Sequence, residues 1–129
     1  MRAPTIPLQI ETKRPQEEIL GENLQQIINL PFAEPFTKYL NYKQTDADVK
    51  RLQILLNSDP DTKLTDSGVG SSDKETNYFG PLTKSAVIKF QEKYAADILS
   101  PWNLIRGTGF IGKTTLAKIN ELISKIIGR

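Results

Sequence analysis

The residues with the most chemistry to offer lie in Gly107-Thr108-Gly109-Phe110-Ile111-Gly112-Lys113-Thr114, which matches the phosphate-loop pattern G-x-x-x-x-G-K-[ST] letter for letter. Taken alone it spells nucleotide binding, with backbone amides and a lysine around phosphates and a hydroxyl on magnesium. That chemistry needs a parallel sheet to hold the loop and a strand ending in Asp for the metal. Only one helix-length of chain follows Thr115, and no apolar strand ending in Asp precedes the motif. The match is therefore read as a structural turn. Asp59-x-Asp61-x-x-x-x-Asp66 has the flavour of a calcium loop, yet the glycine and the closing glutamate such a loop requires are missing from their positions. It is read as a solvated loop, with no metal.

The chain has no histidine and no cysteine, so the usual zinc ligands and the commonest general base are absent. Glycoside hydrolysis by paired carboxylates needs two acids facing each other across a cleft. The acids here sit on loops and on the polar backs of helices. The expectation is a non-enzyme with no catalytic residues and no cofactor. A net charge of +2 over 129 residues, with both signs interspersed, does not suggest a nucleic-acid or anionic-membrane surface. No apolar run is long enough for membrane insertion, and Met1 to Pro7 lacks the apolar stretch of a signal peptide.

The element best marked in the sequence runs from Tyr78 to Gln91. Gly80 gives freedom at a helix start, Pro81 suits a first helical position, and Thr83 can bond back to the turn. Leu82, Ala86, Val87, Phe90 and Tyr94 then recur on one helical face. The same lead-in returns downstream: Thr108-Gly109-Phe110-Ile111-Gly112-Lys113-Thr114-Thr115 matches Thr76-Asn77-Tyr78-Phe79-Gly80-Pro81-Leu82-Thr83 position for position. It opens a last helix from Gly112 to Ile127, with Leu116, Ile119, Leu122, Ile123, Ile126 and Ile127 along one face. Upstream, Asp48 to Asn57 reads as a short helix capped by Asp46, with Val49, Leu52, Leu55 and Leu56 on one side. Earlier still, prolines at 4, 7 and 15 read as an extended arm, and Pro15 to Leu30 as a further helix ended by Pro31. Phe36 to Leu40 reads as extended. The stretches Ser58–Asn77 and Asp97–Thr108 read as surface loops. Ile54 and Ile88 fall off their helices' main faces and call for a cover, which Leu20, Leu24, Ile27 and Ile28 offer unless that face binds a second copy or another protein.

Three motifs together carry a resemblance. Val49-x-x-Leu52-Gln53-x-x-Leu56, Phe79-Gly80-x-x-Thr83-x-x-Ala86-Val87-x-x-Phe90-Gln91 and Gly109-x-Ile111-Gly112-x-x-Thr115-x-x-x-Ile119 resemble the type 1 peptidoglycan-binding domain, a three-helix module usually attached to bacterial cell-wall enzymes. The likeness spans about Phe36 to Ile123. Lys43 and Asp46 stand where family members usually have glycine, Thr76-Asn77 replaces an Asp-Gly, and the loop from Ser58 to Glu75 is longer than usual.

The resemblance implies an all-α, compact three-helix bundle, in a domain set at 36–129; the residue pattern itself adds an arm and an additional helix over 1–35 and long surface loops. It implies non-catalytic binding of peptidoglycan, through glycan or stem peptide, in the bacterial cell envelope or outside the cell. Such a ligand asks for aromatic faces with amide and guanidinium donors beside them. Tyr78, Trp102 and Phe110, flanked by Asn77, Asn103 and Arg106, answer that description. Tyr78 and Phe110 occupy equivalent positions of the repeat, where they also fit as lids on the core. The alternative is an interaction or assembly module that keeps the fold and binds protein, or a second copy, through its extension and enlarged loop.

Overall fold

The carboxylate of Asp46 accepts the backbone N–H of Asp48 at 2.8 Å and so starts α1, Ala47–Asn57, as the sequence predicts. This is a computed structural model, and it describes residues 34–126; the extended arm and the helix expected over Pro15–Leu30 lie outside them. Gly80 and Pro81 open α2, Pro81–Lys93, and Tyr94 ends it. A short α3, Ala95–Ile98, a 3-10 turn, Ser100–Trp102, and α4, Lys113–Ile126, complete the order. The described chain is all-helical: it holds four α-helices, and its only extended pairings are isolated antiparallel bridges, Leu40 with Ile111 and Thr45 with Tyr78.

One hydrophobic cluster joins the elements. Val49, Leu52 and Leu56 of α1 meet Phe79, Ala86, Val87 and Phe90, then Ile98 and Leu99, and finally Ile111, Ile119 and Ile123. Each buried Val, Leu, Ile or Phe among them stabilises the fold by about 1.5–3 kcal/mol relative to exposure. The segment before α1 belongs to this core as well. Phe36 and Leu40 are buried, and the side-chain amide of Asn120 clasps the Phe36 backbone, accepting its N–H at 2.7 Å and donating to its carbonyl at 3.0 Å. The Arg51 guanidinium lies 4.1 Å from the Phe36 ring centre and pairs with Asp48 at 3.0 Å.

Several expectations need correction. Leu82, assigned to the core stripe of α2, is 47% exposed and lies against Gly70 of the long loop. Its place is taken by Thr83, whose hydroxyl is buried and accepts from Gln53 instead of bonding back to the turn. The helix before it is not apolar on one side only, since Arg51, Gln53, Ile54 and Asn57 are buried along with its leucines. The loop after α1 lies on the surface but is pinned from within. Asn57 donates to the Gly70 carbonyl and to Glu75, both at 2.9 Å, and accepts the Leu64 N–H at 2.9 Å, which draws Leu64 into the core. The stretch Asp97–Thr108 is less irregular than expected, because Ile98 and Leu99 anchor it in the core as α3 and the 3-10 turn.

Candidate functional site

Two buried glutamines explain the internal repeat. Gln53 of α1 accepts the N–H of Thr76 at 2.7 Å and donates to the Tyr78 carbonyl at 3.0 Å and the Thr83 hydroxyl at 2.9 Å. Gln91 of α2 does the same one unit later. It accepts the N–H groups of Thr108 and Gly109 at 2.7 and 3.0 Å and donates to the Phe110 carbonyl at 2.8 Å and the Thr115 hydroxyl at 3.2 Å. Each helix thus braces the turn that begins a later one. The glycine in each turn has a steric reason. A Cβ on Gly112 would stand 2.8 Å from the Phe110 ring, and one on Gly80 would stand 3.2 Å from the Tyr78 ring, so in both copies an aromatic ring folds down over the glycine two residues on.

This brace also engages the amides of the phosphate-loop match. Gly107 N–H donates to the Glu92 carboxylate, Thr108 and Gly109 to Gln91, Phe110 to the Thr108 hydroxyl and Ile111 to the Leu40 carbonyl. Gly107 is small because the loop rests on the backbone of α2, with a hypothetical Cβ 2.8 Å from the Ile88 carbonyl oxygen. The acids of the calcium-like stretch are engaged too. Lys93 bridges Asp59 and Asp61, and Lys63 pairs with Asp66, holding that carboxyl below the usual aspartate range. The charge of Lys93 is opposed by burial, but the two carboxylates outweigh this and raise its pKa. No cluster of metal-ligating side chains occurs among the described residues.

A concavity of about 260 Å³ lies between the second lead-in turn and the 3-10 turn. Its walls are the rings of Trp102 and Phe110 with Leu104 and Leu99, and its end is formed by Gly112, Lys113 and Thr114 at the start of α4. The Thr114 hydroxyl donates to the Ile98 carbonyl at 2.8 Å and accepts the Trp102 indole N–H at 2.9 Å. The indole is therefore oriented although it is 54% exposed. Asn103 ends the 3-10 turn in a left-handed conformation, φ 59°, which suits a short amide side chain.

Of the six residues expected to form a ligand face, Trp102 and Phe110 share this pocket, whereas Asn77, Tyr78, Asn103 and Arg106 do not line it. Asn77 and Tyr78 belong to the first lead-in turn, with Tyr78 45% exposed. Asn103 and Arg106 are exposed on the loop that forms the pocket's outer edge. Leu104, Lys113 and Thr114 were not expected there. The signal for Thr114 existed, since a hydroxyl one position before the shared Thr115 departs from the repeat, where Leu82 stands in the first copy. Phe110 also meets Tyr39 edge to face, with ring centres 5.6 Å apart and planes at 82°. Neither a protein-family model, nor a curated protein, nor a solved structure matches the chain.

Proposed function

We propose that the chain is a non-catalytic binding module for bacterial cell-wall peptidoglycan, acting in the envelope or outside the cell as a three-helix peptidoglycan-binding-like bundle. The observation that carries this reading is the pocket of about 260 Å³ lined by an oriented indole, Trp102, and a second aromatic residue, Phe110, together with Thr114 and Lys113. Flat apolar walls with a few placed polar groups suit a sugar ring or a short peptide branch. The three motifs that resemble the peptidoglycan-binding domain support the same reading, and they fall on α1, α2 and α4 in order.

The test is co-sedimentation of the full chain with purified sacculi, comparing the parent with Trp102→Ala. The parent pellets and the variant stays in the supernatant at an unchanged melting temperature. A parent that stays in the supernatant refutes the reading. A protein-binding module is the second reading, favoured by Ile105, which stands 89% exposed beside Leu104 and Trp102. It predicts a concentration-dependent mass in solution that Ile105→Ser abolishes, without any effect of sacculi.

A further inference from the structure

Beyond the pocket, two lysines converge on one tyrosine. Residues 41–44 form a tight turn, closed by the Gln44 N–H donating to the Asn41 carbonyl at 3.1 Å. Within it Lys43 has φ 75°, a left-handed conformation that glycine adopts freely and a lysine does not. The Lys43 N–H donates to the Phe79 carbonyl at 2.7 Å, which ties the turn to the first lead-in. A residue held in this region against its preference raises the question of what its side chain does there. The Lys43 ammonium stands 5.4 Å from the centre of the Tyr42 ring, and the Lys84 ammonium stands 5.0 Å from the same centre.

Lys84 is held in place. Its stem lies along the backbone of Gly109, where a Cβ would come within 2.8 Å of the Lys84 Cγ, and Gly109 itself has φ 83°. The glycine of the second lead-in therefore has a use beyond its turn: it leaves the strip along which Lys84 reaches Tyr42. Among the described residues no carboxylate pairs with either lysine, which is true also of Lys50, Lys74, Lys89 and Lys113; what sets Lys43 and Lys84 apart is that both stand at one ring. Two ammonium groups on one ring repel each other, and a tyrosine face offsets little of this at an exposed site. An anion held beside both would relieve the repulsion.

The neighbouring surface identifies what carries the anion. The Lys84 stem lies against Gly109, and the next residue, Phe110, forms a wall of the pocket, so Lys84 rests one residue along the chain from that wall. We propose that Lys43 and Lys84, set about Tyr42, form an anion-binding subsite for a carboxylate or phosphate group on the wall polymer whose uncharged part occupies the pocket. The identity of the polymer rests on the peptidoglycan reading. A small repeating unit with one charge beside an apolar patch fits two lysines next to two rings. An acidic protein surface would ask for the broad basic face that the interspersed charges of this chain lack.

The experiment is sacculus co-sedimentation of the full chain over a salt series, for the parent, Trp102→Ala, Lys84→Arg and the double variant Lys43→Asn/Lys84→Gln. Asparagine is chosen at 43 because it tolerates the left-handed backbone. The double variant is expected to bind about tenfold more weakly at low salt and to lose most of the salt dependence, with Lys84→Arg close to the parent. Should the double variant fail to fold, Lys84→Gln alone is read for the same change in salt slope. Sacculi stripped of phosphodiester-linked polymers separate the two sources: binding lost on stripping assigns phosphate, and binding retained with the same lysine dependence assigns carboxylate. A double variant that binds like the parent at every salt concentration overturns the subsite, and leaves the pocket standing if Trp102→Ala has lost binding. A parent that binds no sacculi overturns both. Lysine-dependent binding to polyglutamate rather than sacculi overturns the choice of a wall polymer.

Discussion

Replacing Gln91 with leucine keeps most of the volume and removes every hydrogen bond of the second brace. Five groups lose a partner: the N–H groups of Thr108 and Gly109, the Thr108 hydroxyl, the Phe110 carbonyl and the Thr115 hydroxyl. Thr108 and Phe110 are exposed residues, so water replaces the lost bonds there. Gly109 and Thr115 are buried, and each unsatisfied buried group costs about 1–3 kcal/mol, for a total of about 2–6 kcal/mol. That is a large share of the ~5–15 kcal/mol by which such a domain is stable. Gln53→Leu strips three groups, of which only the Thr83 hydroxyl belongs to a buried residue, so its cost is about 1–3 kcal/mol. Urea unfolding of the two variants at unchanged slope gives the order, with Gln91→Leu the more damaging. Amide exchange gives the location: Gly109 gains exchange in one variant and Thr76 in the other. Gln91→Leu within about 1 kcal/mol of the parent, with Gly109 protected as before, refutes the brace.

Three further outcomes are expected. Phe90 is 3% exposed and borders a hollow of about 160 Å³ shared with Leu55, Tyr94 and Leu122, so Phe90→Ala enlarges an existing void. It costs about 3–5 kcal/mol in urea unfolding, and a melting temperature within a degree or two of the parent contradicts the packing. The Asp46 carboxyl is held below the usual aspartate range by the Asp48 N–H and by Lys38. A lowered folded pKa means that this stability is present above about pH 4 and is lost as pH falls through the folded value, so Asp46→Asn flattens the acid limb of a stability–pH curve. Finally, Lys113 is an exposed residue at the start of α4 and the amides of Gly107 to Ile111 are already bonded, so titration with a fluorescent ATP analogue and magnesium gives no saturable signal. Micromolar affinity lost in Lys113→Ala contradicts this.

The parts of the fold legible in the sequence were those set by local chemistry. Gly80-Pro81 and Asp46 mark helix starts within a few residues of themselves, and both helices begin there. The repeat was visible as self-similarity, but its cause was not, because Gln53 and Gln91 act on turns well downstream of them. For the same reason Leu82 was misassigned. A hydrophobic stripe counts leucine over threonine, and only the amide of Gln53 across the interface makes the threonine the inward residue. Arg51, Gln53 and Asn57 look wet by type, yet each is buried because a partner from another segment meets it: the Phe36 ring, the Tyr78 carbonyl and the Gly70 carbonyl. In the candidate site, Trp102 and Phe110 were identifiable as exposed-ring chemistry. Lys113 and Leu104 join them only through the path of the loop, and Lys43 and Lys84 meet only because the second lead-in lies beside the first turn.

The clasp of Asn120 on the Phe36 backbone has a mechanical consequence. Phe36 lies near the start of the described residues and Asn120 on the last helix, so a pull transmitted through the chain before Phe36 is borne by this pair together with the buried Phe36 ring. The two bonds run from one side-chain amide to the N–H and carbonyl of one residue and share the load, and the Phe36 side chain is buried. Extension must therefore unseat that ring and break both bonds in one event. A module that anchors its chain to a solid wall would give way under tension first at this seam, with Gln53 and Gln91 still closed. An Asn120→Ala chain would part at lower force in a pulling experiment while keeping its lead-in turns.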